Sequence, residues 1–346
     1  MEEMLAVTLV ARRQVEIRRL PRPRIEGPHD VLLRMAYAGI CGSDLHYYRD
    51  GRIGDQRVRF PMVLGHEGSA VVVEVGEGVR HLRPGQEVVV DPALVCGTCD
   101  QCRAGRSNTC RALRFFGSPG GAHGCMAQYI LVPEGCCHPL PPQVSLRQGV
   151  IAEPLAIALH SLRLLGPRPP RSMVVFGAGP LGLCVVAAAR AKGVGQIFVI
   201  EPLAWRGRTA LSLGAQWWAD PGGAQVVPEL LAAVPEGVEV VVECCGAQQA
   251  LDQALQLLAP GGRLAIVGIP PGNRVRFDIN LLRRKELSIV NVRRQNDCLS
   301  EAVHMLANEL PALPVITHEY PLSEGATAFA RTADYTDGVI KTLLRL

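Results

Sequence analysis

The stretch from Met173 to Gly182, MVVFGAGPLG, runs a short β-branched strand into Gly177-x-Gly179-x-x-Gly182 and on into a helical pattern. Few folds accept that order. The first glycine allows a tight turn, the second lets backbone approach a pyrophosphate, and the third permits close helix-to-strand packing. On its own the spacing also suits a glycine-rich turn made only for packing. The next strand candidate, QIFVIEP, carries Glu201 at its end, about the interval expected of a carboxylate that binds ribose hydroxyls. A carboxylate there repels the extra phosphate of NADP, so NAD is favoured. Arg206, placed to contact the adenosine ribose, is the nearby group that could accommodate a 2′-phosphate instead.

Downstream, EVVVECCG, RLAIVGIP and LSIVNV read as further buried strands, alternating with helical segments such as PLGLCVVAAARAKG and QQALDQALQLLAPGG. That alternation predicts an α/β domain, a doubly wound parallel sheet with helices on both faces. Before about residue 150 the pattern differs. VLLRMAYAGI, SAVVVEVGEGV and QEVVVDPALV are β-branched runs broken by Gly and Pro, which predicts an irregular β-rich domain. A chain of 346 residues exceeds what one core usually holds. The expected division is 1–152, 153–296 and a tail, 297–346, that rejoins the first domain.

Chemistry concentrates in the first domain. Residues 41 to 67 bring Cys41, Ser43, His46, His66 and Glu67 together, a set suited to a catalytic zinc site that keeps one position open. The plainer reading makes Cys41 a small core residue and His66 a turn residue. Cys96, Cys99, Cys102 and Cys110 then form C-x2-C-x2-C-x7-C in a polar loop, about residues 91 to 112. Four thiolates so close favour a closed structural zinc. A ferredoxin-type cluster expects proline after the fourth cysteine, where Arg111 stands, and a disulfide staple expects a small secreted domain.

Twelve cysteines, with adjacent pairs at Cys136/Cys137 and Cys244/Cys245, would scramble in an oxidising space, and MEEMLAVTLVARRQ does not read as an export signal, so a cytoplasmic protein is expected. The seven cysteines outside the two metal sites read as buried packing residues. The apolar stretch from Met173 to Ala189 is interrupted by three glycines and a proline, which argues against a membrane span. A formal net charge of +4 with scattered basic residues gives no nucleic-acid signature. Lysine occurs 3 times against 33 arginines.

Taken in order, CGSDLHYY, GRIGD, PMVLGHE, the lobe cysteines, AEPLAIALH, FGAGPLG and RRKELSIVNVRRQ resemble the zinc-containing medium-chain alcohol dehydrogenases, most of all the sorbitol or polyol dehydrogenases. The resemblance implies a GroES-like catalytic domain interrupted by a Rossmann coenzyme domain. It also implies two zinc ions, NAD and a homotetramer joined through segments at about 269 to 297. Cys41, His66 and Glu67 match the catalytic zinc ligands, and Glu153 a glutamate that reaches the metal or its water. Asp44 matches a carboxylate that orients His66, and Ser43 and His46 a proton relay. Leu181, Val267, Gly268, Ile269, Val292, Arg293 and Arg294 match further coenzyme contacts, while Tyr47, Phe116, Glu153 and Arg294 match positions that meet a polyol. Ser118 is expected in the same pocket. Gln56 and Gln295 depart from the aromatic residues usual there, which enlarges or polarises it. The implied reaction oxidises a secondary hydroxyl of a polyol to the ketone with hydride transfer to NAD. A threonine- or butanediol-type substrate is the alternative within the family, and a dinucleotide-binding protein without catalysis the alternative outside it.

Overall fold

Ser172–Phe176 is buried along its whole length, as a strand covered on both faces must be. In the computed structural model, which describes residues 2–222 and 225–346, this strand sits inside a six-stranded sheet. The spatial order is Trp217–Ala219, Gln196–Ile200, Ser172–Phe176, Val238–Glu243, Leu258–Ile266 and Ser288–Asn291, every pairing parallel. In chain order that is 3-2-1-4-5-6, so the direction of winding reverses beside Ser172–Phe176 and opens a crevice at the carboxyl ends of the central strands.

The helix Pro180–Ala191 starts where Gly179 caps it and Pro180 supplies a preset φ at its first position. Its Leu183, Val185 and Val186 are fully buried, each contributing on the order of 1.5–3 kcal/mol by leaving water. The helix Gln248–Leu257 is stopped by a lysine from outside it. Lys285 Nζ donates to the carbonyls of Leu255, Gln256 and Leu258 at 3.1, 2.8 and 2.5 Å, satisfying acceptors that a helix end leaves open.

The first unit is built on a seven-stranded sheet in which Asp30–Gly39 is paired by Glu67–Val75, Tyr129–Pro133 and Lys341–Arg345, all antiparallel. Leu33, Met35, Val72, Val88, Val90 and Leu344 share its core. Gly39 lies opposite Glu67 on one neighbour and Leu343 on the other, so the C-terminal strand arrives beside the segment that leads into Cys41.

Two compact units result: Met1–Glu153 with Leu299–Ala312 and Ile316–Leu346, and Pro154–Cys298 with Leu313–Val315. Glu153 therefore falls with the first unit, one residue from the division expected. One strand was not expected and one expectation needs correction. Trp217–Ala219 is a strand of three residues, too short for a pattern, and Ser288–Asn291 is the edge of its sheet, half-exposed rather than buried. Among the described residues no helix is long and apolar enough to cross a membrane.

Candidate metal centres and coenzyme turn

Cys41 follows the strand Asp30–Gly39 and stands at the N-cap of the helix Gly42–Asp50, where Asp44 Oδ2 accepts from its backbone N–H at 3.0 Å. That closure points the first turn of the helix at the end of a second element. His66 and Glu67 sit at the start of the strand Glu67–Val75. The ligand atoms of Cys41, His66 and Glu67 lie within 4.8 Å of one another. His66 and Glu67 are buried and Cys41 is half-buried.

Asp44 is wholly buried behind the imidazole, its Oδ1 at 3.6 Å from His66 Nδ1. The ring is thereby turned so that Nε2 faces Ser43 Oγ at 3.5 Å. Phe115 packs against the ring at 5.4 Å between centroids. Burial disfavours protonation of His66, but the charges of Asp44 and Cys41 outweigh it and hold the group well above its ordinary range. Burial likewise pushes the Glu153 carboxyl up to about 7, with His66 opposing and Glu67 adding to the rise. Its Oε2 is buried with no hydrogen-bond partner. A thiol, an imidazole and a carboxylate converge here amid further buried acids, a donor set and a charge excess that suit zinc with an open position.

One residue that sequence reasoning missed completes the cluster. Lys341, 1% exposed, is ion-paired through Nζ to Glu67 Oε2 and donates to the Ile40 carbonyl at 3.2 Å. A lone lysine in the apolar run VIKTLLRL, in a chain that otherwise uses arginine, was the available signal.

The remaining expected residues divide. His46 Nδ1 faces Asp50 at 3.4 Å, while Ser43 Oγ meets His66 Nε2. Tyr47 and Phe116, expected to meet substrate, are 4% and 3% exposed and packed into the first core. Ser118 Oγ donates to the Phe115 carbonyl at 3.0 Å, a contact within its own loop. Gln295 is buried, with Oε1 accepting from Cys298 N–H at 2.8 Å. Gln56 is exposed on the short hairpin of Arg52–Ile53 and Gln56–Arg57.

In the lobe, Cys110 Sγ lies 3.5 Å from Cys96 Sγ and 3.9 Å from Cys99 Sγ, and the Cys99–Cys102 separation is 3.6 Å. A tetrahedron of roughly 2.3 Å zinc–sulfur bonds has edges of about 3.8 Å, whereas a disulfide needs sulfurs about 2.05 Å apart. All twelve cysteines are free. Hydrogen bonds from the backbone at Thr98 and Cys99 lower the Cys96 thiol to about 6, easing its use as a thiolate. Arg111 closes the loop with two bonds to Asp100, at 2.5 and 2.8 Å. Among the seven other cysteines the packing expectation fails for Cys245, which is exposed, and Cys244, which is half-buried.

At the coenzyme turn Gly177 adopts φ +86° and its N–H reaches the Ile200 carbonyl at 2.8 Å. A Cβ on Gly182 would fall on the Gly177 carbonyl, which is the close approach the third glycine exists to permit. Glu201 is 3% exposed, and its carboxylate accepts from Ala178 N–H at 2.6 Å and Leu203 N–H at 3.0 Å. Arg206 is 8% exposed, and its Nη1 lies 3.8 Å from where a Cβ on Gly179 would stand. Leu181, Val267, Gly268 and Val292 are half-buried; Ile269 and Arg293 are exposed. Cys245 and Gly246 lie backbone to backbone with Gly268, at the carboxyl ends of neighbouring strands.

Comparison with known proteins gives a consistent picture. Residues 27–142 match the alcohol dehydrogenase GroES-like domain and residues 180–308 the zinc-binding dehydrogenase domain. The chain is 32% identical to the sorbitol dehydrogenase of Bacillus subtilis over 348 residues, covering 99% of this chain and 97% of that one. It is 34% identical to D-xylulose reductase A of Aspergillus niger over 290 residues, 82% of this chain and 80% of the other. Among solved structures, one described as a zinc-binding dehydrogenase of Sinorhizobium meliloti 1021, bound to NADP, superposes with a TM-score of 0.90 at 30% identity, covering 100% of both chains.

Proposed function

The chain belongs to the zinc-binding medium-chain dehydrogenase/reductase family, an NAD(P)-linked oxidoreductase, and from that premise we propose that it oxidises a secondary hydroxyl of a polyol such as xylitol or sorbitol to the ketose, with NAD as acceptor. The observation that carries this reading is the Cys41–His66–Glu67 group with Ser43 Oγ facing His66 Nε2, because a protein that only bound dinucleotide would have no use for it. Cys41, His66 and Glu67 would hold zinc, which would supply Lewis acidity toward an alcohol hydroxyl, and the Gly177 turn would hold the nicotinamide coenzyme that serves as hydride acceptor. Asp44 fixes the His66 ring. In this reading Ser43 Oγ takes the hydroxyl proton as it gives up its own, and His46, further along the same helix beside Asp50, would carry the released proton toward solvent. NAD reduction measured across xylitol, sorbitol, 2,3-butanediol and threonine tests the assignment, and a better rate on either of the last two sinks the polyol reading.

Arg294, half-buried after the last strand of the coenzyme sheet, is proposed to hold a polyol hydroxyl remote from the reacting one. Arg294→Ala is then expected to lower kcat/KM on xylitol or sorbitol by roughly tenfold to more than a hundredfold, since a hydrogen bond from a charged group is worth about 1.5–3 kcal/mol. On 2-propanol the loss should be much smaller. A uniform loss with a raised KM for NAD would assign the arginine to the coenzyme.

Coenzyme choice is proposed to rest on Glu201. Two backbone N–H groups hold its carboxylate at the end of its strand, so its charge cannot swing aside when a 2′-phosphate arrives. NAD should therefore be preferred, and Glu201→Gln, which keeps an acceptor but removes the charge, should cut the NAD/NADP ratio of kcat/KM at least about tenfold. Equal efficiency of the unaltered enzyme with NADP, the coenzyme of the Sinorhizobium structure, overturns this. Assembly is proposed through the edge strand Ser288–Asn291, which has no outer partner among the described residues, and the adjacent Ile279, 69% exposed. A tetramer is expected by light scattering; a monomer at micromolar concentration excludes it.

A further inference from the structure

Lys341 sits where a charged side chain is costly. An ammonium 1% exposed must be paired and hydrogen-bonded, and here the Glu67 carboxylate and the Ile40 carbonyl do both. Glu67 thereby faces two ways, being paired with Lys341 while its carboxylate lies among the three donors gathered within 4.8 Å. Space around the pair is made by Gly39, the residue opposite Glu67 in the sheet. A Cβ there would run into Glu67 Oε2 and stand 2.9 Å from Lys341 Cε and 3.0 Å from Val150 Cγ1. So confined a place takes a slim ammonium stem and not a planar guanidinium, which accounts for one of three lysines in a chain with thirty-three arginines.

Resting on the zinc dehydrogenase reading, we propose that Lys341 is a positioning residue that holds and neutralises Glu67, so that this carboxylate is a weak, exchangeable ligand and the metal keeps its Lewis acidity. Charge count supports the assignment. Cys41, Asp44, Glu67 and Glu153 surround the centre, and Lys341 is the one permanent cation placed among them by a described contact. Each full anionic ligand given to zinc reduces its pull on a substrate oxygen, and partners of ligands tune that donation. The C-terminal strand thus delivers to the centre a charge that offsets its third ligand.

The test compares wild-type holoenzyme with Lys341→Met, reconstituted with cobalt and with zinc. Metal affinity is read by competition with a chelator, coordination by the visible absorption of cobalt, and turnover as kcat and KM on xylitol. With its partner gone, Glu67 should bind the metal fully. Affinity should rise at least tenfold, the cobalt bands should shift and change intensity, and kcat should fall at least tenfold with little change in KM. Lys341→Gln, which keeps a donor for Ile40 and Glu67, should move in the same direction and serves if methionine prevents folding. In a Glu67→Gln background the lysine substitution should leave affinity and spectrum unchanged. Unchanged cobalt spectrum and affinity with only a lower melting temperature would overturn the proposal, as would an equal change in the Glu67→Gln background. Cobalt spectrum and affinity remain readable whether or not any polyol is a substrate, so failure of the substrate reading is distinguishable.

Discussion

Cys41→Ser is expected to lower kcat/KM by at least about a thousandfold and to remove one of two zinc ions expected per chain, with only a small fall in melting temperature. The size follows from what the metal contributes: Lewis-acid stabilisation is worth several kcal/mol, and about 4 kcal/mol is a factor of roughly a thousand. The small effect on stability follows from the structure around it. Cys41 is half-buried, and the bond that starts its helix runs from its backbone N–H to Asp44, which serine leaves in place. Elemental analysis and calorimetry on the same preparation decide the matter. Zinc content unchanged in the variant, or one zinc or none in fully active wild-type protein, would falsify the two-site assignment.

Cys99→Ser behaves in the opposite sense. The lobe buries little: its helix Asp100–Arg103 has no buried residue, and Cys96 is exposed, so no core holds the loop together without the metal. In such a case binding free energy is folding free energy. If its loss costs about 3 kcal/mol, the melting temperature falls by roughly 6–12 °C for a unit of this size. The Asp100–Arg111 pair is exposed and cannot compensate, since solvent screens it and its long side chain loses freedom in making it. The folded fraction should keep kcat within about tenfold, because Cys41 and His66 are untouched. A variant with full zinc and an unchanged melting temperature would show that the four cysteines hold no structural metal.

The two substitutions also separate what local sequence can specify from what it cannot. Four cysteines with two, two and seven residues between them lie near enough in sequence for one loop to gather them, and a strand running into Gly177, Gly179 and Gly182 allows the tight turn seen here. The β-rich first unit and the parallel six-stranded sheet were legible from short apolar runs, and the grouping of Cys41 with His66 and Glu67 from donor chemistry and motif order. Short apolar runs carried five of the six sheet strands. Trp217–Ala219 escaped because three residues hold no period, and the half-exposure of Ser288–Asn291 depends on which strand ends the sheet.

Side-chain commitments were another matter. Motif order placed Glu201 at a ribose, but only folding brings Ala178 and Leu203 amides onto its carboxylate. Motif order matched Tyr47 and Phe116 to a polyol pocket, but only the fold sets how deeply they are buried and which backbone N–H Gln295 Oε1 accepts from. Lys341 is the sharpest instance. The sequence by itself determined the domain pattern, the ligand types and the dinucleotide turn, since each is written in contacts a few residues apart. Tertiary structure alone decided that a lysine near the C-terminus sits on Glu67, because the register that sets Leu343 opposite Gly39 is a sum of packing over the whole sheet.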